Sequence, residues 1–163
     1  MRNSADERDS SAAQAGSLDS GSAIGKVRIA KVDDQALDVG AHAAAVRDLG
    51  AGADVIFCGV VRDHDHGREV VELEYSSHPT AQQILEEVAA GIAADDGVLA
   101  IAVSHRIGVL AVGEVALVAA VTAAHRKEAF ENCARLVDEV KARLPIWKRQ
   151  VFGDGTDEWV NCP

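Results

Sequence analysis

Three stretches of this chain are almost unbrokenly apolar: "ADVIFCGVVR" at 53–62, "GVLAIAVSHRIGVL" at 97–110 and "VGEVALVAAVTA" at 112–123. Short runs rich in Val and Ile suit strands covered on both faces, so the chain must build a sheet and also supply its cover. The cover is written elsewhere. "TAQQILEEVAAGIAADD" at 80–96 repeats Ile84, Leu85, Val88 and Ile92 along one helical face. A longer amphipathic segment, Ala123 to Leu144, presents Phe130, Cys133, Leu136, Val137, Val140 and Leu144 to a core, and Pro145 ends it.

The remaining segments complete the pattern. "KVRIAKV" at 26–32 alternates as a strand, and 34–49 has helical spacing closed by Gly50-Ala51-Gly52. "EVVELEYS" at 69–76 alternates again, and the polar turn "DHDHGR" before it predicts a hairpin with the 53–62 strand. After Pro145 a Gly-Asp-Gly turn predicts a closing hairpin. The order β α β β α β β α β β indicates an α+β domain with a mixed sheet rather than a doubly wound parallel one. Residues 1–25, rich in Ser, Ala, Gly and Asp, are expected to form a disordered extension, leaving 26–163 as a single domain.

Charge narrows the function. With a formal net charge of −10, the surface repels nucleic acid and anionic membranes, so any anionic ligand must be met locally. No apolar run reaches the length of a membrane helix and no secretory leader is visible, which makes the cytoplasm the expected address. Cys58, Cys133 and Cys162 are odd in number and widely spaced, arguing against a disulfide framework or a structural zinc site. Cys58 and Cys133 read as small buried hydrophobes.

Against that acidic background "KARLPIWKRQ" at 141–150 gathers Lys141, Arg143, Lys148 and Arg149 without one acid. Crowding of Lys141 against Lys148, Arg149 and Arg126 would lower a lysine's pKa, through like-charge repulsion and desolvation together, and such an amine can act as nucleophile or proton donor near neutral pH. A solvated helix end complementing the C-terminal dipole accounts for the same residues. His125 and Arg126 fall at the start of the long helix, with Thr122 as a candidate cap; there they either meet an anion or point into water. Arg62 ends an apolar strand, where a rigid element can fix a ligand group beside a loop. His64 and His66, with Asp63 and Asp65, offer metal-ligand chemistry, but a short loop without a distant third ligand is weak support and no metal site is assigned.

Taken in order, "GADVIFCGVVRDH", "VVELEYSSHPTA", "SHRIGVLAVGE", "VTAAHRKEAFENC", "LVDEVKARLPIWKRQ" and "DEWV" resemble the MoaE family, the large, catalytic subunits of molybdopterin synthase. The resemblance spans about residues 28 to 160. It implies an α/β-hammerhead-like mixed sheet with packed helices and an added antiparallel β-subdomain. It also implies a sulfurtransferase that builds the dithiolene of molybdopterin on a pterin phosphate, cyclic pyranopterin monophosphate. The sulfur would come from the thiocarboxylated C-terminal tail of a small ubiquitin-like sulfur-carrier subunit, in two deliveries through a half-sulfurated intermediate. The large subunits would form a homodimer, and with two small subunits a heterotetramer. No cofactor, nucleic acid or membrane partner is implied.

Carried over position by position, Lys141 and Lys148 match the family's two essential lysines, and Arg62, His125 and Arg126 its substrate-anion ligands, with Arg149 in the same basic pocket. Val60 stands where the family often has Lys or Thr, and Gln150 where an acid is common; Val60, Val61 and Gln150 are expected to contact ligand, partly through backbone atoms. The alternative is a non-catalytic module that holds the C-terminal tail of a partner protein in the same basic pocket.

Overall fold

The computed structural model describes residues 25–161; Cys162 and nearly all of the N-terminal extension lie outside the described residues. In chain order the elements are β1 (Val27–Asp33), α1 (Val39–Ala45), β2 (Ala53–Val60), β3 (His64–Asp65), β4 (Arg68–Ser77), α2 (Ala81–Ala93), β5 (Val98–Arg106), β6 (Gly108–Ala111), β7 (Val115–Ala123), α3 (Arg126–Arg143), β8 (Ile146–Phe152) and β9 (Asp157–Asn161). They make two sheets. The first has the order β1-β5-β7-β2, with β1 parallel to β5 and the other neighbours antiparallel. The second has the order β3-β4-β8-β9, with β6 also paired to β4, and is antiparallel throughout. An α+β architecture is what the order of elements predicts, and the added antiparallel sheet is what the family resemblance implies.

Helices α2 and α3 cover one face of the first sheet. Ile101 and Val103 of β5 and Leu117, Ala119 and Val121 of β7 pack there against Leu85, Val88 and Ile92 of α2 and Leu136 and Val140 of α3, all buried. The opposite face carries Ala100, Ala102 and Ala120, small side chains that let Val46, just after α1, come close. His42 of α1 pins that helix to the sheet: its Nδ1–H donates to the Asp38 carbonyl at 2.7 Å and its Nε2 accepts from the Ser104 hydroxyl at 2.8 Å. Helix α1 is shorter than the expected 34–49. The Asp38 carboxylate caps it by accepting from Ala41 N at 2.9 Å, and Asp48 turns the chain away by accepting from Gly50 N at 2.8 Å.

Several further expectations are corrected. Strand β2 is not buried on both faces and does not form a hairpin with β4. It lies at the edge of the first sheet, paired with β7, with Ile56 and Val60 exposed. The cause is the turn between them, where His66 (φ 46°) and Gly67 (φ 78°) take the left-handed conformation of a tight hairpin loop. The loop thereby closes β3 on β4 and sends β4 into the second sheet. The 97–110 run is likewise two strands, broken at Gly108 (φ 89°), so that β6 crosses to pair with β4.

Thr122 does not cap α3. It stays in β7, where its hydroxyl donates to Asp54 Oδ1 at 2.6 Å, and the N-cap position falls to His125, whose side chain makes no capping bond. Phe130 is exposed rather than core-facing, because Ala129 occupies the buried stripe that continues through Cys133, Leu136 and Val140. The closing hairpin forms as expected, β8 on β9, with Gly155 at φ 83° in its turn.

Candidate functional site

Where the two sheets and the C-terminal end of α3 meet, they enclose an open cleft of about 440 Å³. Strand β8 shows how the sequence populates it. Side chains alternate across a strand, so Lys148 and Gln150 face the cleft between buried Ile146 and Phe152, while Trp147 and Arg149 face the other side of the sheet. Pro145 is what permits this. It ends α3 one turn after Lys141 and lets the chain return as a strand, bringing Lys148 back beside the helix end it has just left.

Arg62 enters the cleft from the loop after β2, Phe57 and Gly59 from β2 itself, Tyr75 from β4 and His105 from the end of β5. Among the lining residues are Arg62, Lys141, Lys148 and His64, and no carboxylate. A chain with a net charge of −10 thus keeps one cavity lined by cations, which is how an acidic protein can accept an anion.

An acid works from behind this set. Asp65 accepts from the Gln150 amide at 2.9 Å and from Arg62 Nη2 at 3.1 Å. The Gln150 hydrogen bond, followed by the charges of Lys148, His66 and Arg62, holds the Asp65 carboxyl below the usual carboxylate range. One carboxylate therefore orients an arginine and satisfies a buried amide at once, Gln150 being only 3% exposed.

At the floor of the cleft His105 is 6% exposed. Its Nδ1 lies 2.8 Å from the Arg106 carbonyl, which can only accept, so Nδ1 carries the proton and Nε2 the lone pair. The Tyr75 ring meets it edge-on, centroids 5.2 Å apart. Burial, and after it the charge of Lys141, pushes the imidazole pKa below its ordinary value, so the ring is neutral at physiological pH.

Of the residues expected from sequence, the cleft gathers Arg62, Lys141, Lys148, Gln150 and Val60. Arg149 is not among them. It points to the outer face of β8 and pairs with Asp157 at 2.9 Å and Glu74 at 3.4 Å, which raise its pKa. Val61 is a buried core residue whose N–H and C=O are both taken, by the Glu114 carbonyl and the Gly113 N–H, so it has no backbone group to offer.

His125 and Arg126 line a separate hollow at the N-terminal end of α3, with Gly52 and Glu128. Sixteen residues of helix at 1.5 Å each place them about 24 Å from Lys141. Gly52 shapes that hollow: a Cβ there would stand 2.2 Å from the Ala124 carbonyl oxygen. The expected crowding of the lysines by Arg126 and Arg149 is therefore absent within one chain. His64 and His66 sit on the β3–β4 loop, with His64 Nδ1–H donating to Asp63 Oδ1 at 2.6 Å.

Sequence reasoning gave no role to His105 or Tyr75. The signal that could have marked His105 is a basic side chain closing an otherwise apolar strand, on the same face as Ile101 and Val103.

Comparison with known proteins gives a consistent picture. Residues 32–143 match the family described as MoaE protein. The molybdopterin synthase catalytic subunit of Oryza sativa subsp. indica is 41% identical over 120 residues, covering 73% of this chain; the chain spans only 62% of that relative's length. Molybdopterin synthase from Staphylococcus aureus superposes with a TM-score of 0.73 at 27% identity, covering 79% of this chain and 94% of that one. A protein–protein complex of subunits 1 and 2 of molybdopterin-converting factor from Helicobacter pylori 26695 matches in fold, with a TM-score of 0.61 at 21% identity over 83% of this chain and 88% of that one.

Proposed function

Because the chain belongs to the MoaE family, we propose that it acts as the catalytic subunit of a molybdopterin synthase, transferring sulfur from the thiocarboxylated tail of a small carrier subunit to a cyclic pterin phosphate. The observation that carries this reading is the carboxylate-free cleft holding Lys141, Lys148 and Arg62 together. A phosphate and a thiocarboxylate are both anions, and both must be held close despite their mutual repulsion. Three cations on one rim supply that, and they also stabilise charge that develops on oxygen as the acyl carbon is attacked.

In this mechanism Lys141, at the mobile end of a four-carbon stem on the last turn of α3, bonds or activates the reacting centre. Lys148 holds the donor tail, and Arg62, aimed by Asp65, takes an anionic group of the substrate. The partner is a small subunit of the kind seen in the Helicobacter pylori complex. His125 and Arg126 cannot serve the same substrate from the same chain; if they are ligands they come from a second copy, which the homodimer supplies.

Reconstitution tests the proposal. Mixed with a thiocarboxylated small subunit and cyclic pyranopterin monophosphate, the protein should yield molybdopterin, and Lys141→Ala should yield none while still binding the small subunit. Binding without product by the wild type would reduce the protein to a tail-binding module. Mixing Lys141→Ala chains with His125→Ala/Arg126→Ala chains should restore part of the activity through mixed dimers. No restoration would remove the 125/126 pair from the site.

A further inference from the structure

A tail that arrives as a thiocarboxylate and leaves as a carboxylate exchanges sulfur for oxygen, and the oxygen comes from water. In a first step the tail's sulfur bonds to a substrate carbon, whose hydroxyl takes a proton and departs as water; the tail is then joined to the substrate through an acyl–sulfur bond. Breaking that bond requires a second water to be deprotonated as it attacks. The cleft is short of proton acceptors: Lys141, Lys148 and Arg62 are cations, no lining residue is an acid, and two histidines remain. His64 stands at the rim with its side chain 64% exposed, open to bulk water. His105 lies at the floor.

We propose that His105 is the general base that activates water to cleave the acyl–sulfur link, receiving the water proton on Nε2. The inference rests on the sulfur-transfer reading of this cleft. Three features of its geometry favour it. The Arg106 carbonyl fixes the tautomer, so the lone pair lies on the nitrogen opposite the one used for anchoring. The Tyr75 ring packs edge-on against the imidazole, centroids 5.2 Å apart. It also lines the same cavity as Lys141 and Lys148, whose charges are placed to stabilise the oxyanion that the attack creates.

The atoms balance without an oxidant or reductant. The water oxygen adds to the acyl carbon and its proton goes to His105. The carbon–sulfur bond then breaks with its electron pair on sulfur, and the imidazolium returns the proton to it. The products are a thiol on the substrate and a carboxyl group on the tail.

Lys141 of α3 is the charge that acts on the ring and Tyr75 of β4 packs against it; Lys148 of β8 lines the same cleft, and uncharged Val32 of β1 and Leu117 of β7 pair with His105 across the sheet. Arg106, next along β5, has its guanidinium paired to Glu114. Burial, and after it the charge of Lys141, disfavours the imidazolium, keeping the base available at neutral pH.

The test is single-turnover sulfur transfer, with the tail–substrate adduct followed by intact-mass spectrometry. His105→Asn keeps an amide N–H able to reach the Arg106 carbonyl and removes Nε2. It should form the adduct at the wild-type rate and lose it about 100-fold more slowly. Adduct loss at the wild-type rate in a folded His105→Asn protein, or equal slowing of formation and loss, would overturn the assignment. The wild type provides a check independent of any variant. Its adduct decay should fall with acidification along the same curve as the His105 ring titration seen by NMR, and a decay that does not follow that titration would also overturn it. If the wild type makes no molybdopterin, the sulfur-transfer reading itself fails; if it does and His105→Asn matches it, only the role of His105 fails.

Discussion

Asp65→Ala should damage this protein in two separable ways. Asp65 is the acceptor for the Gln150 amide at 2.9 Å and for Arg62 at 3.1 Å, and Gln150 is nearly inaccessible to water. Removing the carboxylate leaves a buried N–H donor unpaired, which costs about 1–3 kcal/mol, and the exposed Arg62 contact adds little to that. For a domain of this size that is a fall in Tm of several degrees, on the order of 3–10 °C. Activity should fall further than stability, because Arg62 loses the partner that aims it into the cleft.

A double-mutant cycle isolates the cause. Gln150→Leu removes the stranded donor, so Asp65→Ala/Gln150→Leu should recover part of the stability lost by Asp65→Ala alone. Urea unfolding of the four proteins gives the numbers. The carboxyl pKa is lowered in the fold from a reference of 3.8, so its contribution is complete above that value and fades as the pH falls through the lower folded pKa. The gap between wild type and Asp65→Ala should therefore close in acid. Purely additive losses in the cycle, or a gap that widens in acid, would refute this account of Asp65.

Three further outcomes follow from side-chain placement. Arg149→Ala should retain turnover close to the wild type's while Lys148→Ala does not, since adjacent residues of β8 face opposite sides of the sheet; steady-state assays of the two variants decide it. The Cys133 thiol, buried on α3 with its pKa pushed up to about 11 by desolvation, should resist alkylation at pH 8 until urea unfolds the domain, and rapid labelling of the folded protein would contradict that. Gly52→Ala should lower Tm measurably by scanning calorimetry, because the new Cβ meets backbone rather than a movable side chain, at 2.2 Å from the Ala124 oxygen; an unchanged Tm would show that the 50–52 turn gives way easily.

Much of this protein was legible in one dimension. The Val- and Ile-rich runs required a covered sheet, the spacing of Leu85, Val88 and Ile92 and of Cys133, Leu136 and Val140 marked the two covering helices, and Pro145 marked the break. These are local signals: each depends on a side-chain period or a forbidden dihedral, and neither needs knowledge of a distant residue. The order of motifs in turn identified the family, and with it proposed Lys141, Lys148 and Arg62 as site residues.

Other properties belong only to the folded chain. Whether β2 paired with β4 or with β7 depended on the left-handed turn at His66 and Gly67 and on a strand more than fifty residues away. Nothing in the row of charges at 148–149 distinguished a cleft lysine from an outward arginine until the register of β8 on β4 was set. The distance between His125 and Lys141 is the length of a helix, so two groups that read as partners in sequence are held at opposite ends of a rigid rod. His105 acquires its lowered pKa only when the fold buries it near Lys141, with the Tyr75 ring edge-on against it. Sequence determines which residues prefer to be strand, helix or buried, because those preferences are short-ranged. Which charges share a cavity is decided by packing, because electrostatic environment is the sum of neighbours that the chain brings together from far apart.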